Sequence, residues 1–548
     1  MLLTIHNPVQ MESHTVYTCS FSSGSELQLR SLRPLDPEIT GRNYLGAVDS
    51  EDLDLDAYRP LQEEVILLLQ TLARTTPKSR IYLSAPTGSG KSVIARGYLR
   101  GFDPVETPGL ILTADHALQE QYADLGIASI TGKPNWPCLI DPTKPASKAD
   151  CARGAFKPQS CEFYHACPYF TQREQGWASD CAVTNYHYLL QGSGKLPHRY
   201  IVADEAHFVE PILRDMQTIT LDLRPPKDIA MAVTMRPQVE ELLAALQSEL
   251  TRHPQETELD RVAYNLLNEK LTKVKRVVGL MNRYQRLARV MPDPKSRYRS
   301  VFFSPLGGMS YLSHSLPLLA MSATLCDPFL LEGVDAAKSD AHKEMDIFSI
   351  EVPSTFPARN RPIYPLNTVK VGRGMTELDY RSLVWTIDRL LEQHGNTKGV
   401  IHTVSYEMAR QIKELSDYPM LMVDHGSGGR DDAIEQFKAA PLGRVLLSPA
   451  AATGVDLPYD LCRWQAIAKL PFPYMGDPMV KVRMEEFPQL SSLDTAQTIV
   501  QMAGRGMRAA DDTCETYILD ANWRWFWGRN WQLFPQWFRE AVRKQEVA

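Results

Sequence analysis

The run APTGSGKS (85–92) closes a short apolar stretch, IYLSA (81–85), and opens VIARGYLRG (93–101), an order that reads strand, loop, helix. No other feature constrains the fold as strongly. Such a loop works only where a buried strand delivers it to the N-terminus of a helix. Gly88 and Gly90 let backbone N–H groups curl around phosphate oxygens, with Thr87 and Ser89 completing the loop. Lys91 is spaced to reach the β and γ oxygens, and Ser92 to ligate Mg²⁺. Ala85 stands where the general motif has its first glycine.

Around this loop, short apolar runs alternate with longer amphipathic ones. LILTA (110–114), CAVTNY (181–186), YIVAD (200–204) and LLAMSA (318–323) read with IYLSA as buried strands of one parallel sheet. After about residue 350 the rhythm begins again with GVIHTV (399–404), MLMVD (420–424), RVLLS (444–448), WQAIAKL (464–470) and TYILD (516–520). The 548 residues exceed one core, so the expected class is α/β with two successive parallel sheets. The second half carries no phosphate-loop glycines of its own and reads as a partner lobe. Two segments interrupt the first sheet: residues 133–180, rich in Pro, Cys and aromatics, and residues 212–300, which turn helical. VYTCSFSS (16–23) is a candidate strand in an otherwise unassigned start.

YIVADEAH (200–207) supplies the second half of a phosphate site. Asp204, ending a buried strand, is placed to hold Mg²⁺ through water, and Glu205 to orient and deprotonate an attacking water. QMAGRGMR (501–508) puts Gln501, Arg505 and Arg508 on one helical face. Arginines facing a γ-phosphate across a cleft stabilise the charge of the transition state.

APTGSGKS, VADEAH, MSATL (321–325), GVDLP (454–458) and QMAGRGMR follow one another as in a superfamily 2 helicase motor, and the resemblance covers roughly residues 58–540. It implies two RecA-like lobes with ATP between them. It also implies that Ser322 and Thr324 couple hydrolysis to lobe movement, that Gly454 and Asp456 line the cleft from the second lobe, and that Gln62 in YRPLQEEV reads adenine.

Four of the nine cysteines, Cys138, Cys151, Cys161 and Cys167, fall within 30 residues, a density that uniform scatter does not give. They are separated by 12, 9 and 5 residues, without the C-x₂-C pair of most structural zinc sites. Spacing alone leaves three readings open: an iron–sulfur cluster, zinc, or unrelated buried thiols. CEFYHACPYF (161–170), then CAVTNYHYLL (181–190), VADEAH and KLPFPYMGDP (469–478) resemble the XPD/DinG group of iron–sulfur helicases. That resemblance implies a [4Fe–4S] cluster on the four cysteines and a helical arch at residues 212–300. It implies translocation on single-stranded DNA from 5′ to 3′, unwinding at duplex junctions, and work in DNA repair or replication. The chain is shorter than typical members, with a compact arch and no room for an added nuclease domain.

The implied organisation is an extension at residues 1–57, a first lobe in three parts (58–132, 181–211 and 301–345), the cluster domain at 133–180, the arch at 212–300 and a second lobe at 346–548. Residues 270–300 carry ten Lys and Arg against one acid, Asp293, with Tyr284 and Tyr298 interleaved. This stretch reads equally as a nucleic-acid contact and as a solvated helix face. NWRWFWGRNWQLFPQW (522–537) holds five tryptophans and reads as core packing ahead of a base-stacking platform.

With 59 Lys and Arg against 65 Asp and Glu, the net charge of −6 excludes a histone-like tail protein. No apolar run approaches the ~18 residues that span a bilayer, and MLLTIHNPVQMESH lacks a signal-peptide pattern. A cytoplasmic, monomeric enzyme is the expectation. Two rivals to a DNA helicase remain at this stage: an RNA-directed DEAH-type helicase, and an ATP-switched nucleic-acid scaffold without processive unwinding.

Overall fold

The computed structural model describes residues 1–11, 13–46, 57–102, 108–152, 157–191, 200–221, 232–253, 257–284, 288–292, 301–305, 317–330, 332, 345–425, 429–449, 457–507, 509 and 511–543. Its larger sheet runs in the order Asn43–Leu45, Leu2–Ile5, Thr15–Phe21, Glu26–Ser31, Asp346–Glu351, Ser79–Ser84, Leu318–Ser322, Tyr200–Asp204, Gly109–Thr113, Cys181–Asn185 and Ala128–Ser129. From Asp346–Glu351 to Ala128–Ser129 every pairing is parallel, with Ile81 opposite Leu319, Leu319 opposite Val202, and Val202 opposite Ile111. Ser79–Ser84, Gly109–Thr113 and Leu318–Ser322 are buried along their whole length. Full burial explains why they read as unbroken apolar runs rather than as alternating ones.

The first 45 residues are not a separate appendage. Their strands pair antiparallel and extend the same sheet, joined to it where Leu29 faces Ile350. Thr15–Phe21 alternates buried and half-buried positions. Tyr17, Cys19 and Leu29 enter one core with Val65, Leu68 and Leu72 of the helix Gln62–Thr75. Period-two alternation is what one-sided burial demands.

Two expected boundaries change. Asp346–Glu351, assigned above to the second lobe, pairs parallel with Ser79–Ser84 and belongs to the first. Val301–Pro305, assigned to the first lobe, instead forms a small antiparallel sheet with Ile219–Leu221 and Ala288–Pro292 beneath the arch. Composition does not separate these strands from their neighbours; pairing partners do. The arch itself is a pair of helices, Ala232–Arg252 and Glu258–Tyr284. Val239, Leu246, Val274 and Val277 share a core with Met479, Leu490 and Leu493 of the second lobe.

The second sheet is parallel throughout, in the order Ile363–Val369, Glu515–Asp520, Trp464–Ile467, Gly399–His402, Val445–Ser448 and Met422–Val423. Among the described residues no helix is long and apolar enough to cross a membrane.

Candidate active site

The loop after Ser84 turns through two left-handed residues, Gly88 (φ 82°) and Gly90 (φ 75°), before the helix Lys91–Arg100 begins. Glycine is required at both positions, for conformation and for space. A Cβ on Gly88 would collide with the Phe356 ring, and one on Gly90 with the Gln62 amide. Gln62 is buried and engaged with the chain itself: its Oε1 accepts the Arg59 N–H at 2.8 Å and its Nε2 donates to Ser89 O at 2.8 Å. Arg59 Nη1 donates to Gly88 O at 2.5 Å. These contacts brace the loop from outside, a role that the expectation of an adenine reader did not include.

Lys91 Nζ lies 3.7 Å from Glu205 Oε1. Asp204 is buried at its strand end, where Tyr122 Oη donates to Oδ2 at 2.8 Å and the Glu205 N–H to Oδ1 at 2.9 Å. Burial, helped by the neighbouring Glu205, pushes the Asp204 carboxyl up to about 6. Burial also pushes Glu205 up, but Lys91 and then His207, Ser322 and Arg505 outweigh it, and the net shift is downward. Glu205 therefore stays ionised as a base should. Its backbone is left-handed (φ 48°), a costly conformation for a residue with a side chain and one found mainly at functional sites.

A relay runs from Glu205 into the second lobe. Ser322 Oγ donates to Glu205 Oε2 at 3.0 Å and lies 2.8 Å from His207 Nδ1. Burial holds His207 down to about 4, so the ring is neutral. With the Ser322 proton committed to Glu205, His207 Nδ1 carries the ring hydrogen and Nε2 is left to accept from Gln501 Nε2, which it contacts. Thr324 Oγ1 lies 3.2 Å from Ser322 Oγ, and Gln497 Nε2 donates to Leu325 O at 3.2 Å. The segment MSATL thus touches Glu205 on one side and the second-lobe helix Pro488–Ala503 on the other.

One cleft between the two sheets is lined by Thr87, Lys91, Glu205, His207, Thr324, Gln501 and Arg505. The Ser92 hydroxyl sits beside the Tyr122 phenol at the same end. Arg508, Gly454 and Asp456 lie outside the described residues. Tyr122, Phe356, Arg430 and Trp537 also border this region and were not anticipated. No local motif marks them, whereas His207 is already visible in VADEAH.

Cys138, Cys151, Cys161 and Cys167 line a single apolar pocket with Tyr164, Tyr169 and Phe170. All four are free thiols, neither fully buried nor exposed. Burial raises the Cys151 thiol, Lys133 opposes this, and the other three sulfurs reinforce it. Among the described residues no three His, Cys, Asp or Glu side chains converge on the position of a single ion. Of the basic stretch, Lys270, Lys273 and Lys275 are exposed on the arch, and the residues around 293–300 lie outside the described ones. Trp523 and Trp537 are buried with Phe526, Phe534 and Phe538 as core, while Trp525 and Trp531 remain exposed.

Comparison with known proteins adds two family matches: a helicase C-terminal domain over residues 389–541, and the DEAD_2 family over residues 157–224. The ATP-dependent DNA helicase YoaA of Escherichia coli (strain K12) is 28% identical over 127 residues, covering 22% of this chain and 20% of that relative. The match therefore spans about a fifth of the curated relative's length. An XPD helicase structure superposes with a TM-score of 0.59 at 16% identity, over 87% of this chain and 98% of the other. The Xpd4 structure from S. tokodaii gives 0.51 at 17% identity, over 89% and 100%. At these identities the structural likeness speaks for the fold: two RecA-like lobes in an XPD-like arrangement.

Proposed function

We propose that this XPD/DinG-like chain of the superfamily 2 helicases is an ATP-dependent DNA helicase that translocates 5′ to 3′ on single-stranded DNA and opens duplex junctions. The observation that carries the reading is the cleft itself. Lys91 and Glu205 of one lobe face Gln501 and Arg505 of the other, and His207 touches Gln501 across the gap.

In this reading Lys91 and the loop N–H groups of residues 88–92 hold the β- and γ-phosphates of ATP. Asp204 and Ser92 would hold Mg²⁺, which supplies charge neutralisation on the phosphate oxygens. Glu205 orients the attacking water and takes its proton, and Arg505, with Arg508, meets the charge that develops on the γ-phosphoryl group. Loss of that group removes what Arg505 was facing. The His207–Gln501 and Ser322–Thr324 contacts carry the resulting change between lobes.

Four thiols line one apolar pocket with Tyr164, Tyr169 and Phe170, and thiolates are the ligands that an iron–sulfur group takes. Cys138, Cys151, Cys161 and Cys167 would hold a [4Fe–4S] cluster, which supplies a rigid brace for the insertion at residues 133–180. The enzyme acts as a monomer.

The test is strand displacement on matched DNA and RNA duplexes carrying 5′ or 3′ tails. ATP-dependent displacement of DNA from the 5′-tailed substrate is the expected outcome. Preference for the RNA duplex would make it an RNA motor, and DNA-stimulated hydrolysis without displacement would make it a switched scaffold.

A further inference from the structure

Trp537 stands on the helix Gln536–Ala541 of the second lobe, and its side chain borders the interlobe cleft together with Thr87, Lys91 and Arg505. It is only 7% exposed, and its buried indole Nε1 has no hydrogen-bond partner. Buried tryptophans ordinarily find an acceptor for this N–H, because leaving it unpaired forfeits its solvation.

The residue is held firmly around that orphan donor. Arg361 donates from Nη1 to the Trp537 carbonyl oxygen, and its guanidinium lies 5.3 Å from the centre of the indole ring. Glu351, the last residue of a first-lobe strand, accepts the N–H of Gln536. Arg361 Nε also donates to Phe356 O at 3.1 Å, and Phe356 packs against Gly88 of the phosphate loop. Contacts from both lobes therefore fix a cleft-lining residue that carries a buried, unsatisfied donor.

We infer that the Trp537 indole N–H is a nucleotide-binding donor, satisfied by an acceptor atom of the nucleoside triphosphate when the cleft is filled. The inference rests on the reading of this cleft as an ATP site and adds a ligand-binding residue from the second lobe. Trp537 lies far from APTGSGKS, VADEAH and QMAGRGMR in sequence or outside their signatures, and its pattern reads as core. Its ring is indeed core; its N–H is the part left over.

The test uses the full chain with W537F, which keeps a ring and removes the donor. Equilibrium titrations with ATP and with inorganic tripolyphosphate are run on both proteins, alongside steady-state hydrolysis and thermal melting. ATP affinity should fall about tenfold, as expected for one lost hydrogen bond. KM should rise by the same factor, with the change absent from kcat and from Tm. A loss shared by tripolyphosphate puts the acceptor on the phosphate chain, and a loss confined to ATP puts it on the ribose or base.

A second measurement reads the wild-type protein itself. In wild-type protein with ¹⁵N-labelled indoles, one N–H resonance should shift on ATP addition, and it should be the one missing from W537F. Equal ATP affinity in W537F and wild type overturns the inference while leaving the ATP site intact. If W537F melts early, an unmoved set of indole resonances overturns it instead. A wild-type protein that binds no ATP overturns the site and the inference together.

Discussion

Arg483 offers a direct test of how the two lobes are held together. It lies on the second-lobe helix Pro478–Glu486, is 4% exposed, and reaches Glu210 Oε2 at 2.7 Å and Asp494 Oδ2 at 2.5 Å. Glu210 belongs to the first-lobe helix Val209–Gln217, directly after the acidic box. Arg483→Met keeps most of the volume and removes the charge. The Asp494 side chain, 35% exposed, rehydrates at little cost, whereas that of Glu210 is 8% exposed and keeps Arg214 Nη1 at 3.4 Å. Orphaning one member of a buried ion pair costs about 3–5 kcal/mol. The Arg214 contact places this case at the lower end, about 3 kcal/mol. Urea and thermal unfolding of the single variant and of Arg483→Met/Glu210→Gln measure it. The double variant should recover at least half of the loss, because the buried carboxylate that Arg483 balanced is gone. A double variant as unstable as the single one would show that packing, and not the stranded charge, causes the loss.

Four further outcomes follow from the same geometry. Glu205→Gln leaves Ser322 a side-chain oxygen to donate to, so ATP binding should survive while kcat falls about 10²–10⁴-fold; wild-type turnover in this variant removes Glu205 as the base. Arg505→Ala should reduce kcat more than ATP affinity, and equal losses in a binding and turnover comparison would assign it to ground-state binding. Protein purified anaerobically should contain iron and acid-labile sulfide, lost on Cys161→Ser or Cys167→Ser; stoichiometric zinc without iron would sink the cluster reading. His402, fully buried on Gly399–His402, is held down to about 4 by burial. The unfolded chain takes up a proton near pH 6.5 that the folded one refuses, so stability is complete above that pH and falls as pH drops toward 4. The full difference is about 3 kcal/mol, and His402→Gln should flatten the fall of Tm between pH 6.5 and 5. An unchanged slope would shift the effect to other groups, His207 among them.

The phosphate loop, the acidic box and the arginine segment are legible from sequence because each is contiguous and its chemistry is local. The two parallel sheets are legible for a related reason: strands buried on both faces announce themselves as apolar runs. What sequence alone hides are pairings between distant residues. Nothing in DIFSIE tells it to lie beside Ser79–Ser84 rather than in the second lobe, and nothing in VFFSP sends it beneath the arch. The Gln62 amide also braces the loop through Ser89 O, a contact that no local pattern announces. Arg483 and Trp537 touch partners 273 and 176 residues away, and no motif encodes either contact.

The insertion of Asp346–Glu351 between Glu26–Ser31 and Ser79–Ser84 has a consequence for synthesis. As the chain leaves a ribosome, the early antiparallel block and the phosphate-loop strand both appear with an open edge, and the strand that joins them comes last. At roughly 5–20 residues per second, the wait for residue 351 is tens of seconds. Open edges are where chains mispair. The second sheet waits for less chain, since its strands all fall between Ile363 and Asp520. The lobe that begins first therefore matures late, and the interlobe cleft cannot take shape until its neighbour is already emerging.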